Sequence, residues 1–170
     1  MKKLSSILVS FTLLTAAGMV PAWSAETAAR PSLTIDIPVV LKEAKIVFNM
    51  SHPAFLGDSS VGLNHMQLMV QNFKSQNTKY RMVAVFYGAM GYVLLNDAAY
   101  NKSRKTSKGN PYKDVIGELQ KDGVEFEECA VTARGNDWIN SDLLPDVKVN
   151  TGGNLRITEL VQEGFVQLQP

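Results

Sequence analysis

From Ala44 to the C-terminus the apolar positions follow two rhythms that take turns along the chain. Residues 46–49 form a short apolar run of the kind a strand buried on both faces requires. A loop with His52, Pro53, Gly57 and Asp58 follows. Leu63, Met66, Val70 and Phe73 then recur at helical spacing, with Ser59 or Ser60 as the cap. The unit repeats: residues 82–87 predict a second strand and Gly88 and Gly91 mark a turn. Leu94, Leu95, Ala98 and Ala99 predict the apolar face of another helix. A polar, basic loop over 101–109 leads to a third helix, which Asn110 caps, Pro111 opens and Gly123 stops. Tyr112, Val115, Ile116 and Leu119 are its expected buried stripe. Val124–Cys129 reads as the third strand and 138–144 as a short helix closed by Pro145. Residues 147–149 read as the fourth strand, 155–161 as a helix before Gly164, and 165–168 as the last strand. Strands alternating with helices of this length imply right-handed crossovers. The expected fold is a three-layer α/β sandwich with a mainly parallel sheet of about five strands.

No linker or repeat interrupts residues 44–170, which are therefore expected to form one domain. Residues 25–43, with Pro31, Pro38 and little periodicity, read as an extended arm leading into it. Ahead of the arm, Lys2 and Lys3 precede a charge-free apolar run from Leu4 to Val20 that breaks at Pro21. That is the layout of a cleavable signal peptide. The pairs Val20/Ala22 and Ala22/Ser24 both supply the small residues that cleavage needs, so residues 1–24 are expected to be removed and the mature chain to begin between Trp23 and Glu26. The run just reaches the length of a membrane span, but Pro21 and the small-residue exit argue against a retained anchor. A lipoprotein anchor needs a Cys at the cut, and the only Cys is Cys129. The expected location is the periplasm, with no membrane attachment after cleavage.

Loss of Lys2 and Lys3 lowers the formal net charge from +1 to −1, so nothing electrostatic draws the chain to nucleic acid or an anionic membrane. A single Cys makes no internal disulfide. In an oxidising compartment it is buried and inert, paired with another chain, or retained for its chemistry.

In an open parallel sheet, ligands bind at the edge where the strand carboxyl ends emerge. That edge is expected to collect His52 and Asp58 after the first strand and Tyr87 after the second. Cys129 and Arg134 follow the third strand, and Thr151, Gly152 and Gly153 the fourth. Strand parity puts Glu125, Glu127 and Cys129 on the side opposite Val124 and Phe126, and two carboxylates on that side predict that the thiol reaches water. A helix beginning at Ala130 would lower the thiol's pKa through its dipole, with Arg134 as an assisting charge, whereas Glu127 and Glu128 would raise it. A small Cys filling a gap in the core is the competing reading. His52, His65 and Asp58 match no metal-ligand spacing, so no metal is expected; His65 falls on the helix face away from Leu63, Met66 and Val70. Thr151-Gly152-Gly153-Asn154 before a helix offers N–H groups to an anion. The chain lacks G-x-G-x-x-G, P-loop, G-x-S-x-G and C-x-x-C motifs, so nucleotide binding, serine hydrolysis and dithiol redox chemistry have no support, and no cofactor is expected.

Several segments together resemble one family. Gly123 to Cys129 is followed by a short helix, by Asp142-Leu143-Leu144-Pro145, and by residues 147–151 with Gly152 or Gly153. Glu159-Leu160 then runs through Gly164-Phe165 to the terminal strand. This pattern, from Lys45 onward, is similar to the DsrE/DsrF-like family, and the export signal points to an exported branch of it. The resemblance implies a doubly wound domain that assembles into trimers or hexamers. It also implies a Cys at the end of the third strand that receives sulfur as a persulfide and passes it on. Cys129 falls on that position. The implied function is a periplasmic carrier or transferase of sulfane sulfur, exchanging it with donor and acceptor proteins, with His52, Tyr87 and Arg134 as orienting groups. Two features depart from the sulfur-relay members: the export signal, which sets aside tRNA thiolation with its cytoplasmic partners, and the acidic residues just before the Cys. The alternative function is a non-catalytic, oligomeric binding or assembly module in which Cys129 is structural.

Overall fold

In the computed structural model of the chain, residues 32–170 are described, and the predicted signal peptide lies outside them. Residues 32–37 contain no helix or strand, and Pro38–Pro170 form one compact unit. This unit opens with β1 (Glu43–Met50) and a two-rung hairpin, β2 (Phe55–Leu56) and β3 (Ser59–Ser60), which leads into α1 (Val61–Gln76). β4 (Lys79–Phe86) follows, then a 3₁₀ segment (Gly88–Leu94), α2 (Asp97–Arg104), α3 (Lys113–Lys121) and β5 (Val124–Cys129). The chain continues through α4 (Ala130–Gly135), a 3₁₀ turn (Asn140–Asp142), β6 (Lys148–Asn150), α5 (Gly153–Gln162) and β7 (Val166–Leu168).

β6, β5, β4, β1 and β7 lie side by side in that order, and every pair is parallel. The chain starts at β1, moves outward through β4 and β5 to β6, then returns across the sheet to β7. Because parallel crossovers are right-handed, a reversal of direction sends the returning helix to the opposite face. The packing agrees. α1, α3 and the 3₁₀ segment bury Leu63, Met66, Met90, Ile116 and Leu119 against Ile46, Phe48, Met82, Phe86 and Phe126, whereas α5 buries Ile157 and Leu160 against Val47, Val83 and Val85 on the other face. The three-layer parallel sandwich expected from the sequence is the fold observed.

The differences lie in the connections. Leu94 and Leu95 are buried but lie outside any α-helix: Leu94 ends the 3₁₀ segment and Leu95 bridges to Leu143, so α2 starts later, capped by Asn96, whose Oδ1 accepts from Ala99 N–H at 3.0 Å. Asn101 to Arg104, expected in a loop, are helical. The short helix expected over 138–144 is reduced to the 3₁₀ turn. Asn110, expected as the cap of α3, lies two residues ahead of the actual N-cap, Tyr112. Its Oδ1 accepts from Tyr112 N–H while its buried amide donates to the carbonyls of Val93 and Leu95, tying the entry of α3 to the segment after β4. Ser60 precedes α1 as expected, but its hydroxyl is buried and makes no hydrogen bond. Gly123, at φ +88°, supplies the left-handed residue that turns α3 into β5.

Candidate functional site

Parity along β5 is as expected, yet the conclusion that carboxylates keep their side wet is overturned. The Cys129 side of β5 lies under α5, leaving Glu127 only 3% and Cys129 only 4% exposed. Glu127 is buried because it is paired: Arg156 Nε on α5 donates to both of its oxygens, at 3.0 and 3.1 Å, and Asn150 Nδ2 on β6 donates to Oε2 at 3.1 Å. A charge needs such partners to remain ionised away from water.

Three strand ends converge on the Cys129 sulfur. α4 begins directly after it, and the N–H groups of Val131 and Thr132 and the Thr132 hydroxyl favour the thiolate. The end of β6 contributes Gly153, whose N–H donates to Sγ at 3.3 Å. The end of β4 contributes indirectly, through Gly88 N–H, which donates to Thr132 Oγ1 at 2.8 Å and so orients that hydroxyl. Burial pushes the thiol pKa up, but these four donors stabilise the thiolate more, and the net shift is downward from the ordinary thiol range.

Gly153 is required by its other neighbour. A Cβ there would lie 2.7 Å from the Tyr87 ring, so only glycine lets that ring pack against the residue whose N–H donates to the Cys129 sulfur. Tyr87 is pinned in turn by its hydroxyl, which donates to Asn154 Oδ1 at 2.9 Å. Of the expected residues, Cys129, Tyr87, Gly152 and Gly153 therefore form one cluster, Gly152 as the residue that caps α5.

The others lie elsewhere. His52 Nδ1 contacts the Ser51 hydroxyl at 2.7 Å and Gln169 at 3.1 Å, at the end of β1, two strands from β5. Asp58 is exposed at the tip of the β2–β3 hairpin. Arg134 is exposed in the last turn of α4, at the opposite end of that helix from the thiol. Thr151 is exposed at the entry to α5. His65 is exposed on α1, as its helical position implies.

Thr132, Asn150 and Arg156 also belong to the site, although the sequence pattern did not single them out. Arg156 sits three residues beyond Gly153, one helical turn on, and that spacing was the available signal. Glu128 points to the opposite face, where it is wholly buried with neither carboxyl oxygen hydrogen-bonded. Its Oε1 crowds Gly91 together with Thr132 Cγ2 and the Trp138 ring, so closely that a Cβ at Gly91 would lie 2.7 Å from that oxygen. Burial, reinforced by the neighbouring Cys129 charge, pushes the Glu128 pKa up to about 8. At neutral pH this carboxyl is held protonated.

Among solved structures, that of MTH1491 from Methanobacterium thermoautotrophicum, a protein of unknown function, superposes with a TM-score of 0.54 at 23% identity, covering 75% of this chain and 99% of that one. The fold is DsrE-like. The E. coli ychN protein covers 77% of this chain and 100% of its own at 14% identity and a TM-score of 0.48. No protein-family model and no curated protein matches the sequence.

Proposed function

We propose that the protein is an exported DsrE-like carrier that holds sulfane sulfur as a persulfide on Cys129. The observation behind this reading is the Gly153 N–H donated at 3.3 Å to a sulfur that stands directly before α4; with the N–H groups and hydroxyl that open α4, it lowers the thiol pKa although the residue is buried. A structural Cys needs no such stabilisation of its anion. In the reaction, the Cys129 thiolate attacks the outer sulfur of a persulfide donor, R–S–SH. The donor S–S bond breaks, R–S⁻ leaves, and a new S–S bond forms on Cys129. An acceptor thiolate then attacks the terminal sulfur and Cys129 departs as thiolate, so sulfur moves with no net oxidation. The donors that stabilise the resting thiolate also stabilise it as leaving group. Tyr87, fixed against Gly153, is the orienting residue in this reading.

The alternative, an assembly module with a structural Cys129, is favoured by one observation, the 4% exposure of that residue. Intact-mass analysis of the native protein after incubation with a small persulfide donor separates the two. The carrier reading expects a 32 Da adduct, taken here as roughly one sulfur atom, that Cys129→Ser abolishes and a competing thiol removes. A native protein that takes up no sulfur, and whose thiol reacts with an alkylating reagent only on unfolding, would rule the carrier out in favour of the assembly module.

A further inference from the structure

The arm before β1 carries a pattern its prolines conceal. Leu33, Ile35, Ile37, Val39 and Leu41 occupy every second position, the period of a strand with one apolar face. Leu33, Ile35 and Ile37 are 93%, 73% and 81% exposed, so an apolar row of strand type stands in water. Soluble chains rarely leave such a row uncovered. Beyond Pro38 the chain is tied down, because the Val39 carbonyl accepts from Gln76 Nε2 and the Leu41 carbonyl from the Thr78 hydroxyl.

The sheet offers a matching surface. Its two edges are β6 and β7. β6 is guarded in the way natural edges are, by Lys148 paired with Glu125. β7 has no charged residue: it reads Val166-Gln167-Leu168, and Val166 is 62% exposed. Register with β1 puts Val166 and Leu168 on the face of Ile46 and Phe48, and Gln167 on the other. A groove of about 610 Å³ runs beside β7, where the apolar Ala44, Ile46, Met69, Val166 and Leu168 are joined at one end by Glu43 and Lys45. An added strand would continue the alternation. Leu33, Ile35 and Ile37 would cover the groove, while Thr34 and Asp36 would fall on the polar face with Gln167.

We propose that residues 33–37 of one copy add as a strand to the β7 edge of a second copy, so that the arm is the joint of a homo-oligomer. Every copy carries one arm and one edge, which closes the assembly either by reciprocal exchange or around a ring. Main-chain hydrogen bonds to β7 hold the arm, and the groove selects its apolar row. The inference does not depend on the sulfur chemistry of Cys129.

The test compares the full chain, as it matures on expression, with an arm variant (Ile35→Asp with Ile37→Asp) and an edge variant (Val166→Asp), by sedimentation across a concentration series. All three substituted positions are exposed, and circular dichroism melting verifies that each variant folds. The wild type is expected to self-associate, and each variant alone to associate at least 10-fold more weakly. A mixture of the two is expected to recover one-to-one pairs, since each retains the half the other lacks. Wild-type protein that stays monomeric, or variants that associate as the wild type does, would overturn the proposal. So would a mixture that fails to pair. Cys substitutions at Ile35 and Val166 in a Cys129→Ser background locate the contact. Crosslinking between separately labelled copies supports exchange, and crosslinking only within one chain shows the arm folding onto its own edge, which overturns it.

Discussion

Glu127 and Glu128 are consecutive, nearly equally buried, and treated in opposite ways by the two sides of the sheet. Glu127 faces α5 and meets Arg156 and Asn150, partners that hold a charge. Glu128 faces the 3₁₀ segment and α4, meets Gly91, Thr132 and Trp138, and is kept neutral. The strand supplied the same chemistry twice, and the covering layer decided what became of it. Cys129 belongs with Glu127: it too faces α5, and an N–H from the start of that helix helps stabilise its anion. The α5 side of β5 is thus built to hold negative charge, and the other side to exclude it.

The largest test of this contrast is the pH dependence of stability. The Glu128 carboxyl titrates near its ordinary value of 4.5 when unfolded and near about 8 when folded. Between those values the unfolded state has already released the proton that the folded state retains, so stability is full below the lower value and falls as pH rises toward the upper. The fall attributable to this group reaches about 5 kcal/mol at most. Glu128→Gln is expected to remove that slope, matching the wild type near pH 5 and exceeding it near pH 8 in urea unfolding. Coincident pH profiles for the two proteins would show that Glu128 is not held neutral.

Next in size is Arg156→Met, which leaves Glu127 buried without its charged partner. A loss of about 3 kcal/mol is expected, with recovery when Glu127→Gln is added, because the pair rather than either residue carries the effect. A double variant no better than Arg156→Met would dissolve the distinction between the two faces. The smallest effect expected is that of Thr132→Val. It removes one donor from the Cys129 sulfur and the acceptor of Gly88 N–H, at roughly 1 kcal/mol of stability. The thiol pKa should rise, read as an upward shift in the pH midpoint of thiolate absorbance. An unmoved midpoint would remove the Thr132 hydroxyl from the set that stabilises the anion.

Much of the architecture was legible in the residues. Val124–Cys129 was bounded correctly as a strand because Gly123 marks its start and the Val and Phe alternation its extent. The parallel sandwich followed from the alternation of element types. The connections were harder: Leu94 and Leu95 are apolar enough for a helix face, but the chain spends them on a 3₁₀ segment and a bridge to Leu143, and a local pattern cannot distinguish these fates. Within the site, Cys129, Tyr87 and Gly153 were placed on the same edge by topology alone. His52 and Asp58 follow the same rule but emerge beside β1, and the rule names an edge without measuring distance along it.

The sequence by itself determined that one sulfur atom stands at the end of the third strand of the sandwich, that its side chain shares a side with Glu127, and that a helix entry with two glycines follows the next strand. Periodicity is a local property, and each of these facts is local. Tertiary structure decided that α5 covers that side, that Arg156 neutralises Glu127 there, and that Gly153 turns its N–H toward the sulfur. The physical reason is the reversal of the chain's direction after β6. With crossovers confined to one hand, that reversal places the last helix on the face the earlier helices left open, and a carboxylate side that looked wet becomes an interior.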